Sequence, residues 1–313
     1  MLNQICVLSL LAVGSVQEEP FHAAPESQVE AMALESVLRV ANPTRVHLLS
    51  RGPAYRVVDV GGEWIYKFPV TDQAWQNLRR QADFLRNIQS LLHFPIPNYT
   101  LNASPPYAFH KKIEGLSLTG VIYRGLSPDR KSVLVKDLTQ FLLSLHTAPT
   151  SWALKGKLSS WEPTSEWSTA VSQQARTLVS DRNLVGFLDY AAAEYLVRKK
   201  PRPTLVICHG DLRPENLFID PFSGKLTGVI GFGASMVSTR ALDFDQLLDI
   251  DLDLTERVMT EYCSILNIPI FYEEVKLHRV LRLFGDLVHA YKEENAELAS
   301  SLLRQIYRLR DAL

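Results

Sequence analysis

The chain has 313 residues, 46% of them hydrophobic and 21% charged, enough for one large domain or two lobes with separate apolar cores. Lys and Arg total 33 against 34 Asp and Glu, so the net charge of -1 carries no electrostatic footprint for nucleic acid or an anionic membrane. Cys6, Cys208 and Cys263 are few, odd in number and far apart, which fits a reducing compartment better than a disulfide framework.

Residues 5–14 form an apolar run long enough for the core of a signal peptide. No Lys or Arg precedes it and no clear A-x-A cleavage site follows, so we read residues 1–26 as an N-terminal extension of a cytoplasmic protein. No run approaches the ~20 apolar residues of a spanning helix. Residues 28–41 place Val29, Met32, Val37 and Val40 near helical spacing, and Asn42-Pro43 ends them. Strand-like alternation begins at residues 44–49 and continues in AYRVVDV and EWIYKFP. Gly61-Gly62 joins these two as a hairpin, because both turn positions need positive φ.

A helix is expected over residues 71–92, with Trp75, Leu78, Ala82, Leu85 and Ile88 on one side, stopped by FPIPNYT. Gly115, in AFHKKIEGLSL, marks the passage to a mostly helical remainder. There RKSVLVKDLTQFLLSLHT, NLVGFLDYAAAEYLVRKK and two patterns between Phe271 and Leu313 carry apolar stripes that read as core. Among them lies a non-helical island with three short strands, TLVIC, NLFID and LTGVIGF. The divisions are an extension (1–26), a β-rich lobe (27–113) and a helical lobe (114–313).

The island holds HGDLRPEN, residues 209–216. Asp211 follows a strand and a glycine, Asn216 stands five residues on with an amide oxygen suited to a divalent ion, and Pro214 stiffens the turn between them. The segment resembles the catalytic loop of the aminoglycoside phosphotransferase and choline kinase family, H-G-D-[LI]-H-x-x-N, which shares its fold with protein kinases. In chain order, IYKFP resembles the strand bearing the family's phosphate-binding lysine, KKIEGLSL its hinge, FLLSLHTAP its helix ending in Leu-His, and TRALDFDQLL its Asp-Pro-Ala-x-Asp-Leu-Ala segment.

This resemblance implies an α+β, bilobal, protein-kinase-like fold, with a small β-rich N-lobe and a larger, mainly helical C-lobe. It implies ATP or GTP as phosphate donor, Mg²⁺ as the metal, and a hydroxyl-bearing small molecule as acceptor, with no nucleic acid or membrane partner. Phosphoryl transfer needs a proton acceptor, cations on the phosphates and rigid positioning. The matched positions give Asp211 the first task, Lys67 and Gln81 the nucleotide phosphates, Gly52 the covering hairpin and Asn216 the metal. His209 and Asp243 support the loop. Arg213 replaces the family's second histidine; it is a candidate cation for the γ-phosphate or a surface partner of Glu215.

Two positions depart from the pattern. Gly231, in Ile230-Gly231-Phe232-Gly233, stands where the family has its principal metal-binding aspartate, and Gln81 stands where it has the glutamate that pairs with the lysine. The resemblance therefore leaves open an impaired phosphotransferase or a catalytically inactive pseudokinase that binds a nucleotide or ligand. Asp243, Asp245, Asp249, Asp251, Asp253 and Glu256 crowd fourteen residues with no Lys or Arg among them. Such a run suits a cationic acceptor and nominates Asp245, Asp249 and Asp251 as acceptor-binding, with Asp245 exposed; it also suits the first turn of a helix.

Overall fold

The computed structural model describes residues 46–52, 54–155, 158–161, 163–198 and 204–312. The expected helix over residues 28–41 and the apolar run at 5–14 lie outside them.

β1 (Val46–Arg51), β2 (Tyr55–Val60), β3 (Trp64–Pro69), β4 (Thr100–Ala103) and β5 (Pro106–Lys111) form an antiparallel sheet in the order β1-β2-β3-β5-β4. The expected hairpin joins β2 to β3: Gly61 and Gly62 take φ of +68° and +77°, and the Glu63 amide closes the turn on the Val60 carbonyl. Alternation in β3 turns Tyr66 and Phe68 to one face, where they meet Tyr107 and Phe109 of β5; the Tyr66 and Phe109 rings stack at 5.1 Å. Lys67 sits between them in sequence, opposite Ala108. Ala108 joins Leu78, Leu85 and Ile88 of α1 (Asp72–Ile88) in the main core. Thr71 caps α1 by accepting the Ala74 amide at 3.1 Å, satisfying one of its orphan donors. The helix also buries Gln81, a polar residue on that stripe, and Phe84, which lies at its edge.

Beyond Lys111 the chain enters the larger lobe. β6 (Leu116–Ser117), β8 (Leu217–Ile219) and β9 (Leu226–Val229) form one small sheet, whereas β7 (Val206–Cys208) pairs with β10 (Met236–Ser238) in another. The three expected strands are thus present but divided between two sheets, and β6 and β10, at two and three residues, are too short to show alternation. The helices are α2 (Gly120–Gly125), α3 (Pro128–His146), α4 (Thr150–Lys155), α5 (Ser165–Leu178), α6 (Arg182–Arg198), α7 (Ala241–Leu247), α8 (Leu252–Leu266), α9 (Tyr272–Lys292) and α10 (Ala296–Ala312). α3 buries Leu134, Leu138, Phe141, Leu142 and Leu145 on the expected stripe and ends on a buried His146. A second core joins α5, α6, α9 and α10 through Leu188, Leu281, Phe284 and Ile306. No helix among the described residues is long and apolar enough to cross a membrane. The result is the α+β bilobal arrangement, with a β-rich N-lobe and a helical C-lobe.

His110 of β5 is buried under the edge of Tyr99 and donates Nδ1–H to the Lys111 carbonyl. Burial lowers its pKa to about 4; the hydrogen bond opposes the shift and the Lys67 charge adds to it. The unfolded chain takes up this proton first on acidification, so stability present above pH ~6.5 is lost as pH falls toward 4. His110→Phe is expected to remove about 3 kcal/mol of that loss, measured as a smaller difference in unfolding free energy between pH 7 and pH 4.

Candidate active site

The loop after β7 carries four backbone groups that no strand satisfies, and one face of α7 takes them all. Asp243, wholly buried, accepts the His209 amide through Oδ2 at 2.9 Å and the Gly210 amide through Oδ1 at 2.8 Å. One turn on, Gln246 accepts the Leu212 amide and donates Nε2 to the Gly210 carbonyl at 2.6 Å. Behind Asp243 runs a relay of donors. Arg240 Nε donates to the Tyr262 hydroxyl at 3.0 Å, Tyr262 lies 2.9 Å from His146 Nδ1, and His146 Nε2 lies 3.0 Å from Asp243 Oδ2. Because the Tyr262 oxygen accepts from Arg240, its proton goes to His146, which places the imidazole proton on Nε2, facing the carboxylate. His146, Cys208 and Asp243 bring possible ligand atoms within 4.8 Å of one another. They are bound up in this support, with the Cys208 thiol against the Thr239 carbonyl at 3.3 Å.

His209 ties the loop to the strand that leads to Gly231. Its Nε2–H donates to the Ile230 carbonyl at 2.9 Å and its Nδ1 accepts the Asp211 amide at 3.1 Å. Burial lowers its pKa against the pull of Asp243 and Asp211, so the ring is neutral with a fixed tautomer. Gly210, at φ +77°, lets the two segments touch: a Cβ there would overlap the Ala234 carbonyl.

Asp211 projects from this frame with its side chain 13% exposed. Arg213 forks it, Nε to Oδ1 at 2.6 Å and Nη2 to Oδ2 at 3.2 Å. Burial works against the Arg213 charge, yet the hydrogen bonds and charge of Asp211 hold its pKa above the ordinary value. Glu215, the surface partner considered from sequence, is exposed and acts on Arg213 only as a further charge. Pro214–Asn216 make a single 3₁₀ turn, which brings Asn216 Nδ2 to the Asp211 carbonyl at 2.7 Å and to Oδ2 at 2.8 Å.

Gly231 stands beside this amide at φ +88°, where a Cβ would overlap Asn216. Asn216 therefore fills the space that a side chain at 231 would take. Gly231→Ala is expected to destabilise the protein by about 1–2 kcal/mol from its left-handed backbone alone, read from denaturant midpoints.

Mg²⁺ takes oxygen ligands that normally include at least one carboxylate. Here position 231 offers none, both Asp211 oxygens accept hydrogen bonds from the loop, and Asn216, its nitrogen donating to Asp211, has only a neutral amide oxygen to give. Asp220 is engaged by Phe222 and Ser223 in the β8–β9 turn, and Asp243 by the loop amides. This donor set does not fit Mg²⁺.

The N-lobe candidates come from the first sheet and α1. Lys67 holds its ammonium over the rings of Tyr55 and Tyr99, at 5.9 and 5.4 Å from their centroids. Gln81 is buried, with its Nε2 against the 3₁₀ turn Phe232–Ala234. Gly52 lies between β1 and β2, its carbonyl taking a hydrogen bond from the buried Arg56.

The acidic run differs from its expected role. Asp245 is not exposed: it is wholly buried, forked by Arg282 and bonded by His278. Burial would raise its pKa, but Arg282 and His278 hold it low. Asp249 pairs with Arg279, and Asp251 caps α8 while pairing with Arg124 at 3.0 Å. A run without a cation in sequence draws its cations from α9 and α2. Gln246 and Tyr262 were not found from sequence, although Asp243 and Gln246 share a helix face; His146 is the histidine of the Leu-His helix end, for which sequence alone suggests no role.

Residues 49–270 match the model of the phosphotransferase enzyme family. The chain belongs to this family. A curated aminoglycoside 3'-phosphotransferase of Streptomyces fradiae is 38% identical over 68 residues, 21% of this chain and 25% of that relative. The alignment thus spans a quarter of the relative's length. Among solved structures, the GDP complex of wild-type aminoglycoside 2'-phosphotransferase-IIIa superposes with a TM-score of 0.80 at 20% identity, covering 92% of this chain and 99% of that one. A macrolide 2'-phosphotransferase type I gives 0.69 at 15% identity over 91% and 99%. At these identities they share the family fold.

Proposed function

We propose that this member of the phosphotransferase family binds ATP or GTP between its lobes and transfers the γ-phosphoryl group to a hydroxyl of a small molecule. The observation that carries the reading is the loop itself, in which α7 fixes the backbone around Asp211 through Asp243 and Gln246. In this reading Asp211 takes the acceptor's proton. The acceptor oxygen bonds to phosphorus as the bond from phosphorus to the β–γ bridging oxygen breaks, and the nucleoside diphosphate leaves. Lys67 serves the phosphates from the N-lobe, and residues 27–113 and 114–313 act as nucleotide and acceptor lobes. Relatives of the same fold have been solved with GDP and kanamycin and with streptomycin and ATP. The aspartates that nominated a cationic acceptor are matched by this chain's own arginines, so we propose a neutral polyhydroxylated acceptor. Turnover is reduced, because the carboxylate expected at position 231 is missing.

A second reading, a nucleotide-binding module without catalysis, is favoured by the Arg213 fork, which engages both oxygens of the proposed base. Transfer of label from γ-labelled ATP or GTP to a panel of neutral and cationic hydroxyl compounds separates the two. The enzyme reading expects a labelled product whose rate drops at least ~100-fold in Asp211→Asn. Saturable nucleotide binding with no product on any acceptor would leave the binding module.

A further inference from the structure

Four features around Asp211 point the same way. Position 231 has no side chain, and the space a side chain would enter is filled by the Asn216 amide. That amide is turned so that its nitrogen donates twice to Asp211. The only carboxylate projecting from the loop backbone between His209 and Leu212 is already neutralised by a guanidinium. That guanidinium is the accessible one: the Arg213 side chain is 35% exposed, whereas Arg282 is buried on Asp245 and Arg240 is bonded to Tyr262.

Resting on the nucleotide-binding reading above, we infer that this chain holds the nucleotide's phosphates without a divalent ion, and that Arg213, exchanging Asp211 for the phosphates, supplies the cation in its place. A phosphate presents the same paired oxygens to a guanidinium as a carboxylate does and carries more charge, so the exchange keeps the fork geometry. Asp211 does not collapse when Arg213 leaves, since Asn216 still donates to its Oδ2 at 2.8 Å. Arg213 Nε then releases the Asp211 Oδ1 that it bonds in the resting loop. Loading of the phosphates and release of the carboxylate by Arg213 are thereby one event. Lysine at 213 would carry the charge but not the fork.

Isothermal titration of the full chain with ATP and with GTP, in EDTA and in excess Mg²⁺, tests this. At least one of the two nucleotides is expected to bind in EDTA with a Kd within about threefold of its value in Mg²⁺. Arg213→Gln is expected to weaken that binding in EDTA at least tenfold, Arg213→Lys by less, and both to leave the affinity for the matching nucleoside, which has no phosphates, unchanged. Equal loss of nucleoside and nucleotide affinity in Arg213→Gln would mean general damage to the cleft and overturn the role given to Arg213. Binding that requires Mg²⁺, or wild-type affinity in EDTA for Arg213→Gln, would overturn the inference and leave the proposed function standing. Binding of neither nucleotide in either buffer would remove the proposed function and this inference with it.

Discussion

Asp243→Ala is expected to destabilise the protein by about 3–5 kcal/mol, measured by denaturant unfolding at pH 7. The carboxylate accepts two adjacent buried amides, those of His209 and Gly210, and it faces His146 Nε2. Alanine leaves all three donors buried without that acceptor, and each unmade bond to a buried donor costs about 1–3 kcal/mol. Asn at 243 keeps one oxygen for an amide but places an NH₂ against the other donors, so Asp243→Asn is expected to fall between alanine and wild type. A loss under ~1 kcal/mol in Asp243→Ala would mean that the loop is held by Gln246 and the glycine contacts instead. Nucleotide affinity, measured on whatever remains folded, is expected to drop with it, since Asp211 hangs from the same backbone.

Asp245→Ala is expected to be as costly, about 3–5 kcal/mol, for a different reason. Arg282 lies almost wholly inside the protein, and its charge persists there because Asp245 and Asp286 offset the penalty of burial and raise its pKa. Removing Asp245 leaves that guanidinium and His278 without the carboxylate that both bond. Replacing the pair together, Asp245→Leu with Arg282→Met, is expected to recover most of the loss, because an apolar pair of similar volume needs no compensating charge. A double variant as unstable as the single one would show that the ion pair contributes through its wider network with Arg279, Asp249 and Asp286 rather than as a pair.

What could be read from the sequence was whatever lay close together in it. HGDLRPEN compresses the loop into eight residues, the Gly61-Gly62 turn is dictated by its own backbone, and α1 and α3 announce themselves by stripes of Leu and Phe. The acidic run misled for the converse reason. Asp245 and Arg282 are 37 residues apart, Val237 of β10 is 30 residues from its partner Ile207 of β7, and nothing local in LDFDQLLDIDLD distinguishes a carboxylate aimed at solvent from one aimed at a helix yet to come. Arg213 shows a finer limit. Its neighbours Asp211 and Glu215 are both two residues away, and only the extended backbone at Arg213, followed by the tight turn at Pro214, decides which of them it meets.

The region shared with the family ends at residue 270, yet Arg279 and Arg282 come after it, on α9. A fragment cut at that border would keep the whole signature of the catalytic loop while stranding the buried carboxylate of Asp245 and taking from Asp249 its arginine partner. The last two helices are therefore foundations of the loop rather than an appendage, and expression trials or domain swaps guided by the border of the family would lose the fold they meant to isolate.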